Sequence, residues 1–223
     1  MRPNGIPYAS FGLVWKTYGA ELAGGAEVAR RVDESLVQLI DGPDNGVNVA
    51  SAVKTDIQPF EFSHALFSFN PTWKEPHVDA DTQFFKAVDF AKQVITREVA
   101  RAQASFEAIA RVEKAYREAG DKRIIVLDEG YPWTKVIMKY PEPLYIVSPS
   151  SDRWHVRAVP IAEGSFENRK PLPQSWAGKT GVDLEKETGV VGAIFAHRGL
   201  FLASSASQIG AIALAKKALE SVE

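Results

Sequence analysis

The chain has 223 residues, which is enough for one large domain or two small ones, each with its own hydrophobic core. It contains no cysteine, and this excludes disulfides, thiolate metal ligands and a cysteine nucleophile. The formal net charge of −2 excludes a strongly basic footprint over the whole chain, although a local basic groove stays open. No apolar run approaches the roughly 20 residues that cross a bilayer, and no signal peptide is recognisable. We therefore expect a cytoplasmic protein without a membrane anchor.

Helical periodicity dominates the first half of the chain. Apolar residues recur at spacings of three and four, which predicts helices over residues 8–18, 26–40 and 79–120. The second helix is expected to bury one face, formed by Val28, Val32, Leu36, Leu39 and Ile40. It should end at a polar turn, residues 41–46, whereas residues 56–73 are predicted to be irregular. The long third helix would bridge two layers or two domains.

The second half of the chain mixes strands and short helices. The apolar pattern predicts strands over residues 123–127, 144–147, 155–161, 190–196 and 199–203, the last four forming two hairpins. Short helices are expected over residues 133–139, 183–187 and 206–222. This pattern predicts an α/β chain of the α+β type, with a small mixed α+β domain at its C-terminal end. We divide the chain into residues 1–78, 79–120 and 121–223.

Two acids in the polar turn are candidate metal ligands. Asp41 and Asp44 follow a helix and share a glycine-containing loop, and such carboxylates can reach a hard divalent cation. The alternative interpretation is an ordinary helix stop built from turn-forming acids. His64 and His77 show no ligand spacing, which favours structural or surface roles for both.

A second candidate region surrounds the last hairpin. His197 lies at its turn, and Ser204, Ser205 and Ser207 precede the closing helix. The free N–H groups and the dipole of a helix N-terminus favour phosphate. A serine N-cap next to a solvated turn would explain the same residues.

Basic and aromatic residues gather around the first hairpin and the proline-rich segment after it. They are Arg153, Arg157, Arg169 and Lys170, interleaved with Trp154, Phe166 and Trp176. Guanidinium groups bind phosphate in a bidentate manner and aromatic rings stack on bases, which favours a nucleotide-binding surface. The alternative is a rim of long cations that cover an aromatic core.

Several segments occur together in an order that is typical of one family. They are NGIPYASFGLVW at 4–15, IDGPDNG at 40–46, FNPTW at 69–73, the SF and RKPLP pieces within 165–173, and IFAH at 194–197. In this order they resemble the Myg-type (melanocyte-proliferating-gene) family of the DHH phosphoesterase superfamily. The resemblance covers nearly the whole chain.

The resemblance implies a metal-dependent phosphoesterase, since eukaryotic relatives are regarded as 3′–5′ RNA exonucleases. In such enzymes Asp and His residues hold two Mn²⁺ or Mg²⁺ ions that activate water. Asp44 fits the last of the ligand motifs best, and Asp41 is the second choice. The second domain would bind the nucleotide end of the substrate. Substrate contacts are expected from Arg169, Lys170 and His197, and from Arg157 and Ser204 on the chemistry given above.

Two departures from the family pattern bear on activity. The His-rich and Asp-His-His motifs are not in this sequence, so residues 1–78 are expected to be the remnant of a catalytic domain. The glycine-rich stretch expected after His197 reads Leu202-Ala203-Ser204-Ser205. The chain alone should therefore be weakly active or inactive. A non-catalytic RNA- or nucleotide-binding module is one alternative, and a scaffold that forms a homodimer through an exposed sheet edge is another.

Overall fold

Two units make up the chain in the computed structural model, which describes residues 1–49 and 60–221. They span Met1–Phe106 and Glu107–Glu223, and the longest helix contributes residues to both. The three-part division at residues 78 and 120 remains a prediction. Residues 56–59 of the segment predicted to be irregular lie outside the described residues, and the prediction is wrong for Phe62–Phe67, which is helical.

Helices form the described part of the first unit. They are α1 (Ser10–Leu22), α2 (Ala26–Val32), a π-helical turn (Asp33–Val37), α3 (Gln38–Asp44), α4 (Phe62–Phe67) and α5 (Ala80–Glu118). The three predicted helices are confirmed, with ends that differ by a few residues. The predicted turn at 41–46 is partly wrong, because α3 continues to Asp44. Tertiary hydrogen bonds to the Asp41 side chain, described below, anchor this last helical turn.

The core of the first unit gathers around α1 and α2. Trp15, Val28 and Val32 are buried in it, and Trp15 Nε1 donates to the carbonyl of Ala29 at 3.0 Å. The predicted buried face is confirmed at Val28, Val32 and Leu36, and Ile40 is partly buried against the same core. The prediction is wrong at Leu39, which is exposed just after the π-helical turn, where the extra residue changes the helical phase.

A five-stranded sheet organises the second unit. Its strands are β1 (Ile124–Val126), β2 (Tyr145–Ser150), β3 (Arg153–Ala158), β4 (Ala193–Ala196) and β5 (Leu202–Ser205). The spatial order is β1-β2-β3-β5-β4, in which β1 and β2 run parallel and all other pairs are antiparallel. Both predicted hairpins and the α+β class are confirmed.

Helices cover the two faces of this sheet unequally. On one face α8 (Gln208–Glu220) and α7 (Gly181–Thr188) enclose the larger core, which includes Tyr145, Val156 and Leu214. On the other face α6 (Thr134–Ile137) and the end of α5 cover only the part around Ile125 and Ile146. The rest of this second face carries polar side chains together with the apolar Phe195 and Leu202. In the described residues no helix combines the length and the apolarity that a membrane span requires.

Candidate phosphate-binding face of the sheet

Strand β3 places its polar residues on the second face of the sheet. Side chains alternate along a strand, so Val156 enters the larger core while His155 and Arg157 point to the opposite side. Arg153 shares that side by the same alternation. The strand therefore brings two guanidinium groups and an imidazole to one surface.

The sheet register extends this surface into a polar strip across three strands. His155 pairs with Ser148 of β2 on one side and with Ser204 of β5 on the other. Directly paired residues have Cβ atoms roughly 4.5–5.5 Å apart and lie on the same face. We call Ser148, His155 and Ser204 the polar strip. Phe195 of β4 pairs with Ser204 and borders the strip.

Two polar atoms of the strip lack a hydrogen-bond partner among the described residues. They are His155 Nδ1 and Ser204 Oγ, both buried. Ser204 is only 2% exposed. An unsatisfied buried polar group costs about 1–3 kcal/mol, so both atoms are expected to bind an ordered water molecule or a ligand.

The charge state of the strip follows from its surroundings. Burial, and then the positive charges of Arg157 and Arg153, lower the pKa of His155 below its usual value of 6.5. A neutral imidazole at neutral pH keeps one N–H donor and one nitrogen acceptor. Arg157 itself is exposed, so its charge is available to a ligand.

A cleft of about 420 Å³ opens beside the strip and shares Ser148 with it. The lining residues are Glu129, Gly130, Tyr131, Trp133, Ser148, Pro149, Ser150, Ser151 and Arg157. Burial is the main cause of the raised pKa of Tyr131, and the Arg111 guanidinium lies 5.9 Å from the Tyr131 ring centroid. The cleft therefore combines one arginine, one carboxylate, aromatic rings and hydroxyl groups, which together can hold a charged and a flat ligand group.

Of the predicted substrate contacts, Arg157 and Ser204 lie on this face. Ser204 lies within β5 and not at the start of the closing helix. Ser207 is the N-cap of α8, because its hydroxyl accepts the Gly210 N–H at 3.1 Å. For this serine the alternative interpretation, a helix cap, is confirmed. His197 follows β4, where its Nδ1 accepts the Gly199 N–H at 2.9 Å and its ring lies 4.4 Å from that of Phe201.

Arg169 and Lys170 have structural hydrogen bonds. Arg169 Nη1 donates to the carbonyls of Tyr140 and Pro143, at 2.7 and 3.1 Å. Lys170 Nζ donates to the carbonyls of Leu219 and Ser221 at the end of α8, both at 2.8 Å. Their part in substrate binding stays a prediction.

The two predicted metal ligands occupy different environments in the first unit. Asp41 is fully buried: its Oδ1 accepts the Gly12 N–H at 3.0 Å and its Oδ2 accepts from Arg2 Nη2 at 2.7 Å. Arg2 also pairs with Asp33, at 2.7 Å. Asp44, by contrast, is exposed at the end of α3.

The described residues do not supply a complete ligand set for a metal pair. Within 1–49 and 60–221 no three His, Asp or Glu side chains gather where one ion could bind them. The Asp41 carboxylate is neutralised by Arg2, which leaves Asp44 as the accessible carboxylate of the two. His64 Nδ1 accepts the Glu61 N–H at 3.0 Å in a capping box, a structural role.

An α+β unit with a polar, arginine-bearing sheet face beside a cleft is a candidate phosphate-binding protein. Residues 1–219 match the family model MYG1_exonuc, described as Uncharacterised protein family (UPF0160). The chain belongs to this MYG1 family.

Curated relatives resemble the chain along most of its length. A MYG1 protein of Caenorhabditis elegans is 32% identical over 242 residues, which cover 95% of this chain and 71% of the relative. A MYG1 protein of Schizosaccharomyces pombe is 28% identical over 95% of this chain and 73% of its own. The human MYG1 exonuclease is 26% identical over 98% of this chain and 65% of its own. No solved structure matches the chain significantly.

Sequence reasoning missed His155, Ser148 and Tyr131. The signal for His155 was present, because Arg153, His155 and Arg157 alternate with Trp154, Val156 and Ala158. The strip itself depends on the β3–β5 pairing, which joins segments some 50 residues apart and leaves no mark in a local pattern. The homodimer, like the metal requirement, stays a prediction.

Proposed function

We propose that the full-length protein acts in phosphodiester hydrolysis as a 3′–5′ exonuclease on RNA, and that the second face of the sheet in this chain holds the strand end. Relatives that bear the name MYG1 exonuclease support the reaction class. The observation that carries the binding role is Arg157, an exposed cation at the wall of the cleft and beside the polar strip. Arginine is well suited to bind phosphate, because its planar group donates two parallel hydrogen bonds.

The residues of the cleft would divide the work of binding. Arg157 attracts the phosphate and fixes its place, and Tyr131 offers a ring on which a terminal base can stack. The hydroxyl groups of Ser148 and Ser150 can bond to sugar or phosphate oxygens. We assign these groups to binding and orientation.

Two Mn²⁺ or Mg²⁺ ions remain part of the proposal for the hydrolytic step, where they would activate water. Of the described residues we assign only Asp44 to such a site, since Asp41 is held by Arg2 and by the Gly12 N–H. Because the described residues fit one ligand and not a pair of ions, we derive no step through the metals. We propose that this chain alone hydrolyses RNA weakly or not at all.

Binding at a strand end can be tested apart from hydrolysis. Fluorescence anisotropy of a short RNA labelled at its 5′ end, at low salt and without metal, should show binding. An unlabelled linear RNA with a free 3′ hydroxyl should compete, whereas a circular RNA of the same sequence should compete poorly. Equal competition by the circle would contradict end recognition.

Hydrolysis is tested with the same RNA in the presence of Mn²⁺. We expect little release of mononucleotides from this chain. Robust stepwise release that Asp44→Ala abolishes would overturn the proposed inactivity and support the metal role of Asp44. Products that shorten from the 5′ end would overturn the proposed direction.

A non-catalytic nucleotide-binding module is the second candidate. It is favoured by the cleft, whose lining residues all lie within the second unit. A longer protein that also carries the His-rich and Asp-His-His motifs distinguishes the two candidates. If it binds RNA without any Mn²⁺-dependent hydrolysis, the binding module is favoured over the exonuclease.

A further inference from the structure

We infer that the polar strip is a phosphate subsite, in which His155 and Ser204 donate hydrogen bonds to a phosphoryl group whose charge Arg157 neutralises. The inference rests on the proposed function, because it assigns the phosphate of the bound nucleotide to a particular place. It adds His155 as a binding residue and separates a phosphate end of the site from a nucleoside end.

The strand register places the hydrogen-bonding side chains of the polar strip side by side. His155 stands between Ser148 and Ser204 in direct register on three neighbouring strands, so three donors line up across about 10 Å of sheet surface. Arg157 lies two residues along β3 on the same face, next to His155. A tetrahedral group of oxygens can accept from several such donors at once, whereas a flat base edge has fewer acceptors.

Two buried polar atoms of the strip have no hydrogen-bond partner among the described residues. Ser204 Oγ is nine-tenths buried or more and, like His155 Nδ1, has no partner among the described residues. The two residues face each other across β3 and β5. Both atoms are buried from solvent. In the proposed complex, the His155 imidazole therefore changes its rotamer so that the ligand can contact both atoms. Rotamer changes of this size are common at binding sites whose backbone stays fixed.

The charged residues of the sheet face and the cleft determine how a bound nucleotide is oriented. The strands of this face carry Arg157 and Arg153, and Arg153 is paired with Asp152 at 3.0 Å. Glu129 lines the cleft on the loop after β1, near Tyr131 and the Arg111 guanidinium. Of the two charged residues that line the cleft, Glu129 repels a phosphate and Arg157 attracts it. The nucleoside therefore extends toward Glu129 and Tyr131, where a carboxylate can accept hydrogen bonds from sugar hydroxyls.

The NMR signals of the His155 imidazole can be used to detect phosphate binding. The chain has four histidines, so their ring signals can be followed separately by NMR. Inorganic phosphate, AMP and adenosine are added to the whole chain in turn. Phosphate and AMP should shift the His155 signals and raise its pKa, since an adjacent anion favours the protonated ring. Adenosine should leave the His155 ring unchanged, and His64 and His77 serve as internal controls.

Two variants and a matched control complete the test. Ser204→Ala and Arg157→Gln should each weaken AMP binding about tenfold, the loss of one hydrogen bond to a charged group. Lys216→Gln removes one positive charge from α8 on the opposite face of the sheet and should bind AMP like the unaltered chain. AMP binding with an unchanged His155 ring and an unaffected Ser204→Ala variant overturns the phosphate subsite and leaves the proposed function intact. Failure of both AMP and short RNA to bind overturns both.

Discussion

Arg2 and Asp41 form a buried ion pair in which Nη2 donates to Oδ2 over 2.7 Å. The arginine is 4% exposed and the aspartate is fully buried. The Gly12 N–H donates to the other oxygen of the same carboxylate. One acid thereby joins the segment before α1, the start of α1 and the middle of α3. This explains how a proline-containing polar segment stays helical as far as Asp44.

Removal of the arginine should destabilise the first unit strongly. Arg2→Met leaves the Asp41 charge buried without a partner, which typically costs about 3–5 kcal/mol. Hydrogen exchange of the amides in α1 and α2 measures the loss. Arg30→Gln breaks ion pairs that are exposed and should change exchange little, because surface pairs contribute little. Similar protection in the Arg2→Met variant and the unaltered chain would disprove the role of this pair.

Gly12 is predicted to tolerate no side chain. A Cβ at this position would lie 1.8 Å from Asp41 Oδ2 and 2.8 Å from Arg2 Nη2. Gly12→Ala should therefore separate the ion pair and lower the melting temperature, with a cost of at least about 1–3 kcal/mol from overpacking. Gly120→Ala is the matched control, because a Cβ there meets nothing within 4 Å. Equal melting temperatures for the two variants would contradict this prediction.

Two adjacent serines in β5 should respond to truncation in opposite directions. Ser204→Ala removes a buried hydroxyl without a partner and should stabilise the second unit by about 1 kcal/mol. Ser205→Ala removes a donor to the Gly192 carbonyl and should destabilise it by about as much. Urea denaturation followed by hydrogen exchange in β3 and β5 compares them. Destabilisation by Ser204→Ala would mean that its hydroxyl has a structural partner.

The free energy of unfolding of the second unit should depend on pH through the protonation of His155. Its pKa is lowered in the folded state, so between that value and about 6.5 the unfolded chain binds more protons. The second unit is therefore most stable above pH 6.5 and loses this contribution as the pH falls through the folded-state pKa. His155→Gln should flatten this part of the profile in urea denaturation at several pH values. An unchanged slope in the His155 variant would refute the buried neutral state of the ring.

A variant of Lys170 can distinguish a structural role of this side chain from a direct contact with substrate. Lys170→Met leaves the carbonyls of Leu219 and Ser221 without their donor and should destabilise the end of α8. We expect AMP affinity to change less than it does in Arg157→Gln, when both are measured well below the melting temperature. A larger loss of affinity in Lys170→Met would support the direct substrate contact expected from the sequence.

Local patterns predicted the elements better than the site. The continuous apolar run of β2, the period-two alternation of β3 and the helical spacing in α5 carry enough information to define these elements. The predicted acidic turn depended on Pro43 and Gly42, and the buried partners of Asp41 overrode these turn formers. Such long-range contacts, like the strand pairing that creates the polar strip, are absent from any short window of sequence.

Photo-crosslinking can locate the RNA end on the protein. A short RNA with 4-thiouridine at its 3′ terminus is irradiated with the chain, and the attached peptides are identified by mass spectrometry. We predict crosslinks to the loop around Tyr131 and to the β2–β3 hairpin, which surround the cleft. Crosslinks confined to α8 or to the first unit would contradict strand-end binding on the second face of the sheet.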